Sequence, residues 1–333
     1  CGHPDQSPYA SRYPTRLLDV GSHDSGNYHI KLVDTKAEVL EGPYVTLSHC
    51  WGTKLVTSLT TATKQQFLRG LPAVPKTYED AIEVARKLHV RYLWIDSLCI
   101  IQDDEEDWRT ESQLMDQVYK NALLNIAATA APDCHEGLFY SRPHLLVPSC
   151  QVQLGKETSR FIDISAFTAE VENSPLLQRA WVLQERLLAP RVLHFGRKQL
   201  FWECNELYAS ETLPDGQTPK VTQIHTQQIR ARIHAMTSKS ESITKGHERK
   251  ALEIWRSILS LYTSSNLTYG TDKLPALAGI VKHFQPLFGD TYHLGIWKDS
   301  IVLLLGWYCF SGSWQPLLPR PVEYRAPTWS WAS

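Results

Sequence analysis

Tyr92-Leu93-Trp94-Ile95-Asp96-Ser97-Leu98-Cys99-Ile100-Ile101 is a nearly continuous apolar run that carries one carboxylate. Such a run predicts a strand covered on both faces, as in a parallel sheet. The pattern extends outward from it. Upstream, Ala81, Ile82, Ala85 and Leu88 recur at helical spacing as far as His89. They follow Pro75 and Thr77-Tyr78-Glu79-Asp80, which reads as a capping box with Asp in the less usual third position. Before that, Tyr44-Val45-Thr46-Leu47-Ser48 reads as a strand ending in a turn at Gly52. Downstream, Asp103 or Asp104 caps a helix over roughly 105–121, and Leu123 to Ala128 is a further buried strand. Strand, helix, strand, helix, strand predicts an α/β fold whose parallel sheet has right-handed crossovers.

The flanks are less regular. Residues 1–30 are rich in turn formers, with one short strand at Pro14 to Val20, and residues 28–33 alternate like an edge strand. Residues 130–173 read as a loop-rich insertion with edge strands at 147–154 and 160–164. Ser174-Pro175 opens a helix that runs to about Leu188, and 192–202 returns as strand. The polar stretch 214–250 predicts a solvated helix and a candidate boundary. Amphipathic helices are expected at 251–262 and 274–284, and a buried element at 301–308. The expected organisation is an α/β core at 14–205 and a mostly helical C-terminal extension at 206–333, packed on it in the same globular unit.

Composition narrows the function. The 333 residues are 43% hydrophobic and 21% charged, which suits a globular protein with a real core. A net charge of -1 argues against a nucleic-acid partner, since such proteins present a basic face. No apolar run is long enough to span a membrane, and Cys1-Gly2-His3-Pro4 is not the start of a signal peptide. The seven cysteines are scattered without C-x-x-C spacing, so no metal site is expected and reduced cytoplasmic thiols are the plain reading. In that setting the Asn266-Leu267-Thr268 sequon reads as chance. The abrupt ends read as those of a fragment of a longer protein.

Strand ends are where α/β proteins place their sites. His49 and Cys50 follow the first core strand, and Asp96 falls inside the second. A buried carboxylate needs hydrogen bonds or a cation, so Asp96 either ties a loop amide or arginine or serves a site. Glu111 lies near the centre of the stripe formed by Trp108, Leu114, Met115, Val118, Tyr119 and Ala122. It needs a partner, with Arg91, His49 and Arg179 as candidates, and its bland reading is a buried ion pair. Trp181 and Glu185 are four apart and share a helical face with Gln178, while Arg179 and Arg186 lie elsewhere on that helix. An indole there can stack a flat ring while the carboxylate addresses what the ring carries. A core Trp with a surface Glu is the bland alternative. His49 and Cys50 point to opposite faces, so a Cys–His pair requires an intervening turn.

Four segments resemble the HET (heterokaryon incompatibility) domain of filamentous fungi: residues 44–52, 91–111, 178–191 and the closing Arg325-Ala326-Pro327-Thr328-Trp329-Ser330-Trp331-Ala332-Ser333. The resemblance implies an intracellular protein of programmed cell death after non-self recognition. The family is similar to TIR (Toll/interleukin-1 receptor) domains, which implies a flavodoxin-like parallel sheet. Ser48-His49-Cys50-Trp51-Gly52 sits where TIR domains carry a post-strand loop, and Trp181-Val182-Leu183-Gln184-Glu185 looks like their tryptophan-to-glutamate helix. In NAD-cleaving TIR domains that glutamate is catalytic. The carry-over implies Glu185, with Asp96 and Glu111, as catalytic residues. Ser48, His49, Cys50, Trp51, Trp181 and Arg179 would bind substrate. NAD would be the substrate and no resident cofactor is expected. The partners expected are a small molecule and further copies of the chain in a homo-oligomer. The insertion and the C-terminal half depart from the TIR pattern. Two rival expectations stand beside NAD cleavage: a non-enzymatic, self-associating signalling module, and a HET-fold enzyme of fungal secondary metabolism.

Overall fold

The computed structural model describes residues 13–21, 29–53, 57–142, 150–154, 157–161, 165–217, 225–237, 245–288, 291–308 and 323–333. In chain order the first half contains β1 (Arg16–Asp19), β2 (Lys31–Asp34), β3 (Tyr44–Ser48), α1 (Lys64–Arg69), α2 (Lys76–Lys87), β4 (Tyr92–Ile95), α3 (Asp96–Cys99), α4 (Glu105–Asn121) and β5 (Leu124–Ala127). Then come β6 (Cys150–Leu154), β7 (Glu157–Phe161), the helical turn α5 (Ser165–Phe167), α6 (Ala180–Leu188), β8 (Arg191–Phe195), β9 (Leu200–Cys204), β10 (Tyr208–Ser210) and β11 (Leu213–Gln217). The C-terminal region has α7 (His225–Thr237), α8 (Lys245–Thr263), α9 (Ala278–Phe288), the short pair β12 (Tyr292–His293) and β13 (Ile296–Trp297), and α10 (Ile301–Leu304).

The expected parallel sheet forms the centre of a wider mixed sheet of nine strands, ordered β11-β10-β9-β8-β5-β3-β4-β1-β2. The pairs β8–β5, β5–β3 and β3–β4 are parallel, and every other neighbour pair in that sheet is antiparallel. Numbered in chain order, the parallel strands read 2-1-3-4, which is consistent with a flavodoxin- or TIR-like α/β fold. In that order the crevice lies at the C-terminal ends of the first and third strands. Those are β3 and β5, where Ser48 pairs in register with Ala127.

The apolar strand runs bury themselves as expected: Val45, Leu47, Leu93, Trp94, Ile95 and Ile126 are all within 1% of full burial. Helix α4 begins where its signal predicts, and the Asp104 carboxylate accepts from the Glu106 and Asp107 amides at 3.0 and 3.1 Å. Such a cap contributes about 1 kcal/mol.

Four expectations are corrected. The 92–101 strand stops at Ile95, because the chain turns into α3 and the Asp96 carboxylate takes the Ser97 amide at 2.7 Å. Asp96 therefore sits at the strand's end. The capping box at Thr77–Asp80 does not form. Its side chains instead hold the loop after β5, with the Leu138 amide donating to Asp80 at 2.7 Å and the Gly137 amide to Thr77 at 3.1 Å. The 192–202 strand is the hairpin β8–β9. The 301–308 element exposes Val302 and Leu303. The β6–β7 hairpin forms its own two-stranded sheet, and the expected strand residues 147–149 and 162–164 lie outside the described residues.

Two large buried apolar clusters result, with a smaller third at Phe167, Val171, Phe201 and Tyr208. One surrounds the parallel strands, and the other unites α7, α8, α9 and the C-terminal Trp331. Helix α6 stands between them: Val182 belongs to the first, Ala180 and Leu187 to the second, and Trp181 packs on both.

Candidate active site

The C-terminal end of β3 meets α6. The Ser48 hydroxyl donates to the Glu185 carboxylate, and the Asn125 side chain on β5 hydrogen-bonds Ser48 Oγ at 2.9 Å. Tyr119 of α4 also hydrogen-bonds Glu185. The Arg179 guanidinium donates to the His49 carbonyl oxygen and acts electrostatically on Glu185.

Glu185 is 4% exposed. Burial raises its pKa to about 7, opposed by Arg179 and by the hydrogen bonds from Ser48 and Tyr119, and reinforced by the Asp96 charge. Glu185 is thus a carboxylic acid whose ionisation falls near neutral pH, the condition for a working acid or base.

The His49 ring turns the other way. Its Nε2 lies 2.8 Å from the Tyr78 hydroxyl, which is 2.9 Å from Ser97 Oγ. Its Nδ1, 3.8 Å from Asp96 Oδ1, is buried without a hydrogen-bond partner among the described residues. Burial lowers the His49 pKa to about 4, so the imidazole is neutral at physiological pH. The Trp51 indole donates to Asp96 Oδ2 at 3.0 Å and lies parallel to the His49 ring, with centroids 6.4 Å apart. Trp51, Asp96 and Arg179 are the half-buried members of this cluster, and they form its outer side. Gly52, at φ +77°, makes the turn behind Trp51 and packs against Asp133.

The structure thus brings together Ser48, His49, Trp51, Asp96, Arg179 and Glu185. Cys50 is nearby and buried. Burial pushes its thiol pKa up, which opposes a thiolate nucleophile. Trp181 is on α6, but its indole donates to Asp272 of the C-terminal region at 3.2 Å.

Glu111 is buried as expected, yet none of the proposed partners reaches it. Arg16 on β1 does, at 3.4 Å, while also binding Asp107 at 2.6 Å. Arg91 is engaged by Asp19 at 2.6 Å. Glu111 instead borders a separate cleft of about 570 Å3, lined by Tyr13, Thr15, Lys36 and Gln117.

The expected single helix from Ser174 is also broken. Gln178 ends a short 3-10 turn and Arg179 is extended, because Asn266 pairs with this backbone and draws it out. That break points Arg179 at the β3 loop. Asn125, Tyr119 and Tyr78 were missed by the sequence reading. Asn125 is the one with a signal, a polar side chain in a buried strand. Among the described residues no group of three or more His, Cys, Asp or Glu could hold a metal ion. No helix among them is long and apolar enough to cross a membrane.

The family model for the heterokaryon incompatibility protein (HET) matches residues 44–185, from the first residue of β3 to Glu185 itself. No curated protein and no solved structure matches the chain. The matched segment contains every residue of the Ser48–Glu185 cluster, and a HET domain is present over residues 44–185.

Proposed function

We propose that this protein cleaves NAD at its nicotinamide–ribose bond, as an effector of fungal programmed cell death that acts in the cytoplasm. The observation that carries the reading is Glu185, a buried carboxyl with a pKa near 7, held by Ser48 at the crevice of a flavodoxin-like sheet. NAD offers a flat cationic ring and an anionic diphosphate. The half-buried residues on the outer side of the cluster match those features: Trp51 has an indole face for the ring, Asp96 a carboxylate for its positive charge, and Arg179 a cation for phosphate.

In the reaction the C1′–N bond breaks and its electron pair leaves with nicotinamide. Positive charge develops on the ribose, where ionised Glu185 stabilises it as a fixed opposite charge. Water then bonds to C1′ and gives its proton to Glu185, yielding ADP-ribose and nicotinamide. Glu111, paired with Arg16, has no part in this scheme.

The test is nicotinamide release by the purified protein beside Glu185→Gln at equal folded concentration. Release by the wild type that falls at least about a hundredfold in the variant supports the reading. No release by the wild type, or equal release by both, overturns it.

The burial of Ser48, His49 and Glu185 favours one second reading. In it these groups are core ties, and the protein signals by self-association into a homo-oligomer without chemistry. It predicts cell death that persists in a folded Glu185→Gln variant.

A further inference from the structure

Helix α6 is nine residues long and carries Glu185 near its C-terminal end. It is held along its length by residues that follow the HET match. At its start, the Ala180 amide donates to the Asn266 carbonyl at 2.9 Å, and the Asn266 amide donates back to the Gln178 carbonyl at 2.6 Å. In its middle, the Gly279 amide donates to Gln184 Oε1 at 2.8 Å, and the Trp181 indole reaches Asp272.

The C-terminal end matters most. The last carbonyls of a helix have no partner within it and carry partial negative charge. Arg230 of α7, itself buried, supplies what they lack. Its Nη1 donates to the Arg186 carbonyl at 2.6 Å, and its Nη2 donates to the Ala189 carbonyl at 2.8 Å and the Pro190 carbonyl at 3.2 Å. One planar fork thus binds a carbonyl of the helix's last turn and the two at and just past its end, all on the C-terminal side of Glu185.

The burial of Arg230 is offset by Glu203 on β9, whose Oε1 lies 3.7 Å from Arg230 Nε. Glu203 also takes Arg186 at 2.9 Å, and Arg186 takes Glu172 at 3.0 Å. A buried guanidinium is costly unless paired, and Arg230 has both the Glu203 charge and three carbonyls as partners.

We propose that Arg230 is the positioning residue of Glu185, and that through it the C-terminal region completes the HET-domain site. This rests on reading Glu185 as the working carboxylate. The groups that act on Glu185 are Arg179, Ser48, Asp96 and Tyr119, with the Cys50 thiol beside them. Arg230 is not among them, so it acts by holding the helix. Lysine keeps its charge but cannot span three carbonyls.

The experiment is a pH titration of the protein labelled with 13C at glutamate carboxyls, with the Glu185 signal identified by its loss in Glu185→Gln. It is done on wild type, Arg230→Lys and Arg230→Met, each checked for fold by circular dichroism, with nicotinamide release measured alongside. Loosening α6 admits water to Glu185, so the Glu185 midpoint is expected to fall by about one unit in Arg230→Met. Arg230→Lys is expected to lie in between. Nicotinamide release is expected to show kcat down about tenfold or more with KM little changed. An unchanged Glu185 midpoint in a folded Arg230→Met protein overturns the proposal. If that variant does not fold, an unchanged midpoint in Arg230→Lys does the same. If the wild type releases no nicotinamide while the midpoint still moves, NAD cleavage fails and the positioning role stands.

Discussion

Ser48 at the end of β3 donates a hydrogen bond to Glu185 on α6, across 137 residues of chain. This bond ties the first strand of the HET match to its last residue at the crevice of the sheet. Burial raises the acid while the Ser48 and Tyr119 hydroxyls and Arg179 stabilise its ionised form. The result is a group that changes charge near neutrality.

Catalysis should follow that titration. Ionised Glu185 is the form that stabilises a positive transition state, so kcat should rise with pH through about 7 and level off above it. His49 stays neutral over this range, since its pKa is lowered to about 4, and adds no second limb. The check is the pH profile of nicotinamide release, and a flat profile from pH about 5.5 to about 8.5 contradicts the assignment.

Stability should move the opposite way. Glu185 is raised from 4.5 to about 7, so the folded state keeps a proton that the unfolded chain has released. Its contribution is fully present below 4.5 and lost as pH rises through about 7, a difference of about 3 kcal/mol. His49 runs the other way: its pKa falls from 6.5 to about 4, so stability is lost as pH drops across that window. Urea unfolding of wild type and Glu185→Gln should therefore diverge with rising pH, the variant gaining about 2–3 kcal/mol relative to wild type between about pH 5 and about pH 8.

Arg16→Met should cost about 3–5 kcal/mol, because it strips the cation from buried Glu111 and from Asp107. It also removes a 2.6 Å hydrogen bond to the Cys99 carbonyl. Urea denaturation measures the loss, while nicotinamide release per folded molecule should be retained. An activity lost without a loss of stability would return Glu111 to the catalytic site.

Gly52→Ala should destabilise by about 1–3 kcal/mol. The position has φ +77°, and a Cβ there would lie 2.5 Å from the Asp133 Cβ, too close to relieve without moving backbone. A thermal melt of the variant unchanged from wild type would show that the turn carrying Trp51 is not held there.

Much of the α/β core was legible because its signals are local. Apolar runs marked β3, β4 and β5, and Asp104 marked the start of α4 where the helix in fact begins. What misled were residues whose partners are distant. Asp96 looked like a carboxylate inside a strand, but the chain turns at it. Thr77 and Asp80 looked like a capping box, but they serve the loop at Gly137 and Leu138. The helix expected from Ser174 breaks at Arg179 because Asn266, far downstream, competes for its backbone.

The sequence by itself determined the parallel core, the burial of Glu111 and the placing of Ser48 at the end of a strand, since hydrophobic period and turn chemistry act over a few residues. Which carboxylate meets which partner was decided only by the tertiary structure. Ionic and hydrogen-bond pairing depends on distance in space, and the parallel topology brings Ser48 to Glu185, sends Glu111 to Arg16 and sets Arg230 under the helix that holds the site.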